Sequence, residues 1–81
     1  MPVTYRFHRT RHYAQRVSHR ELSEETVKQV VYYGRKTALP NRPLHKGRVF
    51  MFEKKVDGAT FRVVAEIKDS ECWLMTSYEI Q

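Results

Sequence analysis

The rhythm of apolar positions changes once along this chain, near Gly47: apolar residues recur every three or four positions before it and every second position after it. Val27, Val30 and Val31 have the i, i+3, i+4 spacing of one buried helix face. Ser23 stands as the N-cap, Glu24 and Glu25 fall in the first turn, where the helix dipole favours negative charge, and Gly34 is the stop. Leu22 and Val27 are placed as a hydrophobic staple across that cap. Upstream, Thr10 caps a second expected helix over residues 11–20, with Tyr13, Ala14 and Val17 as a thin apolar stripe.

Three strands are expected beyond Gly47, over residues 48–56, 60–67 and 72–78. Asp57 and Gly58 form a two-residue hairpin signal, and residues 68–71 turn the chain again. In the second strand Phe61, Val63, Ala65 and Ile67 alternate with Thr60, Arg62, Val64 and Glu66. In the third, Cys72, Leu74, Thr76 and Tyr78 are expected on one side, with Trp73, Met75 and Ser77 on the other. Residues 3–7 add a short edge strand. Two prolines, Asn41 and flanking glycines make residues 35–47 read as one exposed basic loop. The pattern therefore predicts a single α+β domain over residues 1–81, with two N-terminal helices packed on a three- to four-stranded antiparallel sheet.

Length and composition narrow this picture. Eighty-one residues suffice for one compact domain that hides roughly 60–65% of its unfolded surface. At 41% hydrophobic and 30% charged residues, the chain is expected to fold rather than stay disordered. Such a small core needs its large side chains inside, so Phe50, Phe52, Phe61 and Trp73 are expected there. The lone Cys72 cannot form an intramolecular disulfide; it reads as a small buried hydrophobe and fits a reducing, cytoplasmic compartment. No apolar run is long enough to span a membrane, and the opening residues lack the apolar stretch of a secretory signal.

Charge points to a class of partner. Fifteen Lys and Arg against nine Asp and Glu give +6, unevenly spread: the first twenty residues hold five arginines, three of the four histidines and no acid. Arginine outnumbers lysine, and a planar guanidinium fork suits phosphate better than a point charge does. A polyanion is the natural partner, nucleic acid ahead of anionic lipid.

On a helix begun at Arg11, His12, Arg16 and Arg20 share one side, with His19 on the same stripe. An imidazole that moves protons near neutral pH would then stand beside two permanent cations. That combination suits phosphodiester cleavage, with His12 as general acid or base and the arginines holding the non-bridging oxygens. The competing reading is a solvated basic face that only touches phosphates. Thr76 or Tyr78, where the last strand turns polar, would complete the site; Arg9, Arg11, His19, Arg42, Lys46 and Arg48 are the candidate RNA-binding residues. No metal or other cofactor is expected. His8 and His12 have a chelating spacing, but no Glu follows His8 as the zinc-protease motif requires, and the neighbouring arginines repel a cation.

The run T-R-H-Y-A-Q-R-V-S-H-R-E-L-S over residues 10–23 resembles a bacterial domain family without a functional name, whose members carry S/T-x-H-A-x-x-R-M-x-x-R-G-I-S and close on a T-x-Y element. Thr10, His12, Arg16, Arg20, Leu22 and Ser23 fall in register, and Thr76 with Tyr78 matches the closing element. Val17, Tyr13 and Glu21 stand where the family prefers Met, Ala and Gly. That family is similar to the toxin-ribonuclease superfold of barnase, EndoU, colicin-type tRNases and RelE/ParE toxins. The resemblance implies two helices on an antiparallel sheet and metal-independent cleavage of RNA (tRNA or mRNA) to a 2′,3′-cyclic phosphate. It also implies a cognate acidic antitoxin or immunity protein, with the toxin a monomer when free. The alternative is a non-catalytic nucleic-acid binder or a ParE-like inhibitory protein.

Overall fold

The computed structural model describes residues 4–9 and 24–80. In chain order the elements are β1 (Arg6–Arg9), α1 (Glu24–Tyr33), β2 (Arg35–Ala38), β3 (Arg48–Val56), β4 (Ala59–Lys68) and β5 (Glu71–Ile80). The strands form one sheet in the order β1-β5-β4-β3-β2. β1 runs parallel to β5, and every other pair is antiparallel.

This corrects the expected architecture. In place of two helices on a three- to four-stranded antiparallel sheet, the described residues carry one helix and a five-stranded mixed sheet. The expected helix over residues 11–20 lies outside the described residues. The difference comes from the edges. β2 falls in the segment expected as loop from its prolines, Asn41 and flanking glycines; Arg-Lys-Thr-Ala has no apolar alternation, all four residues are exposed, and pairing with β3 is what makes them a strand. The segment before it is short because Gly34 passes the chain straight from helix to strand. A β-carbon there would stand 2.3 Å from the Val30 carbonyl oxygen and 2.8 Å from that of Glu53. At the other edge, β1 joins β5 in parallel, with the Arg6 N–H donating to the Ser70 carbonyl at 2.7 Å.

The helix and the long strands form where the periodicity places them. Val27, Val30 and Val31 are buried against Phe52, Val63, Ala65, Cys72 and Leu74 in one cluster. Phe50 and Phe61 pack at its margin, together with Tyr5 and Phe7. Tyr32 ties β1 to the end of α1: its ring stacks on Tyr5 and meets Phe7 edge-on, and its hydroxyl accepts the Tyr5 N–H at 3.0 Å. Cys72 is fully buried, and burial pushes its thiol pKa up to about 12, which suits a packing residue. Asp57 and Gly58 turn β3 into β4 with φ of 50° and 84°, the positive pair that a two-residue hairpin requires.

One irregularity redirects the last strand. Val64 pairs with Thr76 and Ala65 with Leu74, so Met75 is an extra residue without a partner, a β-bulge. Side-chain parity therefore flips after Leu74. Cys72 and Leu74 face the helix, but Ser77 then takes the buried position opposite Val63, and Thr76 and Tyr78 turn to the other face. The expected alignment of Cys72, Leu74, Thr76 and Tyr78 on one side does not occur.

Candidate nucleic-acid site on the open sheet face

Among the described residues no helix lies on the second face of the sheet. At its far end from the turn joining β4 to β5, the register aligns Arg35, Glu53, Arg62 and Tyr78 across β2, β3, β4 and β5. Cross-strand neighbours lie about 5 Å apart, so the four side chains form one continuous polar row. Arg62 Nε donates to Glu53 Oε1 at 2.6 Å. Both side chains are about one-third exposed, so the pair is open to solvent and to a ligand. Hydrogen bonds to Glu53 and then to Tyr78 raise the guanidinium pKa further above its usual value. Arg35 is exposed on the edge strand and has no ion-pair partner among the described residues. The row thus offers a carboxylate between two guanidiniums, with a phenol beside the second.

The next row toward the other end is Thr37, Met51, Val64 and Thr76. Thr76 Oγ1 is buried and has no hydrogen-bond partner among the described residues. Beyond it, Val49, Glu66, Trp73 and His8 align, and here the loop of residues 39–47 folds over the sheet. Glu66, only 2% exposed, fastens it: Oε1 accepts the N–H of Leu44 at 2.8 Å, and Oε2 accepts those of His45 at 2.8 Å and Gly47 at 2.9 Å. Burial pulls the Glu66 pKa up, but the three backbone donors and the nearby His45 outweigh it, leaving the pKa below the ordinary value. The clamp sets His45 against Trp73, ring centroids 4.2 Å apart and planes 10° from parallel. His8 also stacks on Trp73, at 5.4 Å, and its Nε2–H donates to Glu71 Oε2 at 2.8 Å.

The residues expected at the site from the sequence fall partly within the described residues. His12, Arg16, Arg20, Arg11 and His19 lie outside the described residues. Arg9 sits on the helix side of β1 and is paired with Glu24. Arg42 and Lys46 are exposed on the clamped loop, Lys46 with φ of 61°, whereas Arg48 begins β3 and by register points to the helix side. Thr76 and Tyr78 stand on the open face, Tyr78 within the polar row. Trp73, expected in the core, is half-buried on the open face instead.

The chain matches no family model, no curated protein and no solved structure.

Glu53, Arg62, Arg35 and the imidazole pair around Trp73 were missed by sequence reasoning. One signal was available: Glu53 is the only acid between Glu25 and Asp57, and it lies in a strand of otherwise basic and apolar residues. What was not available was register, which brings Glu53 opposite Arg62 and Arg35.

Proposed function

We propose that this protein is a small toxin-like endoribonuclease that binds RNA and cleaves it, without a metal, by attack of the ribose 2′-oxygen on the adjacent phosphorus. The observation that carries this reading is the row of Arg35, Glu53, Arg62 and Tyr78 on the open face of a chain with net charge +6. The Glu53 carboxylate takes the proton of the 2′-hydroxyl as the new P–O bond forms. The P–O5′ bond breaks, and His12 or Tyr78 gives a proton to the departing oxygen, leaving a 2′,3′-cyclic phosphate. Arg35 and Arg62 hold the non-bridging oxygens as charge builds on them. In this reading Arg16 and Arg20, which lie outside the described residues, add cations that hold RNA phosphates. Of the two strand residues considered, Tyr78 suits the site better, because the Thr76 hydroxyl is buried. The neutralising partner in this reading is a small acidic antitoxin or immunity protein, and the compartment is the cytoplasm.

The test is incubation of the purified chain with total RNA and with a defined oligoribonucleotide in EDTA. Cleavage with cyclic-phosphate ends, lost in Glu53→Gln and in either His12→Ala or Tyr78→Phe, supports the reading. RNA that stays intact while the chain still arrests growth, or still binds RNA, would replace it with a ParE-like inhibitor or a non-catalytic binder.

A further inference from the structure

The clamped loop is separate from the polar row, and the proposed chemistry leaves its features unused. Three backbone N–H groups converge on the nearly inaccessible carboxylate of Glu66. Lys46 holds a left-handed backbone at φ 61°, a conformation costly for a residue with a β-carbon and found where surrounding structure imposes it. The result is a loop whose tip presents an exposed imidazole, stacked on one side against Trp73. Beside it stand Arg42 and Lys46, exposed and without ion-pair partners among the described residues, and Leu44, 78% exposed. A flat ring, an apolar neighbour and two free cations on a pre-set backbone form a platform for a planar ligand that carries negative charge on its flanks.

We propose that this loop is a stacking subsite for one unpaired base of a single-stranded RNA. The base lies on the imidazole of His45 and extends the stack on Trp73, while Arg42 and Lys46 hold the phosphates on either side of it. Leu44 lies against the base edge. Because Glu66 holds the loop in place before the ligand arrives, binding does not have to order it. Stacking on an aromatic platform tolerates every base, so this subsite favours single strands over duplexes without reading sequence. The inference rests on the proposed RNA substrate and adds where, and in what form, the strand is held.

Trp73 is the chain's only tryptophan, so its emission reports on the stack it forms with His45 and His8. The experiment titrates the full chain with a fluorescently labelled single-stranded RNA made uncleavable by 2′-O-methyl groups. It follows the anisotropy of the label and the emission of Trp73 together. Binding by anisotropy should be accompanied by a change in Trp73 emission. His45→Ala should weaken binding by about 5- to 100-fold, and His45→Tyr should restore most of it by replacing the ring. Arg42→Ala and Lys46→Ala should each lower the salt slope of log K by about one. Circular dichroism of each variant separates loss of binding from loss of fold. RNA binding with unchanged Trp73 emission and wild-type affinity in His45→Ala would overturn the subsite and leave RNA recognition standing. Absence of binding to any RNA would overturn RNA recognition and the subsite together.

Discussion

On the helix side of the sheet, Phe52, Val63, Ala65, Cys72 and Leu74 are each at most 4% exposed and close on the valines of α1. On the opposite side of the same strands lie Glu53, Arg62, Trp73 and, beyond the bulge, Tyr78, all partly exposed. One backbone thus serves two purposes. The pleat sends the side chains that hold the fold one way and those that can meet a ligand the other, so chemistry can be altered on one face with little effect on the other. The exception is instructive. Val49 and Glu66 are buried on the open side, because the loop of residues 39–47 covers them and Glu66 satisfies its backbone N–H groups.

The strongest way to break this comparison is to swap the effects. Glu53→Gln should lower RNA cleavage by about 10²- to 10⁴-fold, with a melting temperature close to that of the parent. Phe52→Ala should do the reverse, costing about 3–5 kcal/mol of stability with no selective effect on RNA. Denaturant titrations and initial rates on both variants decide it; equal loss of stability in the two would erase the distinction between faces.

Glu66→Ala is the next largest effect. It leaves three backbone N–H groups without their acceptor and should cost about 1–3 kcal/mol, with the emission of Trp73 changing as His45 leaves the stack. The same carboxylate gives a pH dependence. Its folded-state pKa lies below the unfolded value, so its contribution is complete above the ordinary carboxyl range and is lost as pH falls through the lowered pKa. Urea midpoints of the parent should therefore fall on acidification below about pH 4.5, and more steeply than those of Glu66→Ala.

The smallest effects sharpen the picture of the helix side. Ser77 is 7% exposed, and its Oγ has no hydrogen-bond partner among the described residues. Ser77→Ala removes that orphan and should be neutral or stabilising by up to about 1 kcal/mol, measured by thermal melting. Cys72, fully buried with its pKa near 12, should resist alkylation at pH 8 until denaturant is added.

Legibility in the sequence followed element length and apolar content. The valine triplet with its acidic first turn and Gly34 marks α1, and the alternation of β4 marks its two faces, because both patterns repeat within one element. The strands at the sheet edges did not declare themselves fully. β2 has no apolar pattern to show, and the parallel course of β1 depends on a partner more than sixty residues away. Trp73 was misplaced for a related reason. Size argues for burial, but Trp73 lies on the face opposite the core, where its cover is a pair of imidazoles from β1 and the loop.

The sequence by itself determined the valine face of the helix, the hairpin at Asp57 and Gly58, the three long strands and the basic character of the surface, since each is written in local spacing or charge. Only the tertiary structure decided which polar groups meet. A carboxylate at position 53 and a guanidinium at 62 become partners through strand register. One unpaired residue, Met75, turns Tyr78 from the core side to the open face. Register and bulges are settled by backbone pairing between distant segments, and a one-residue shift reverses the face of every side chain beyond it.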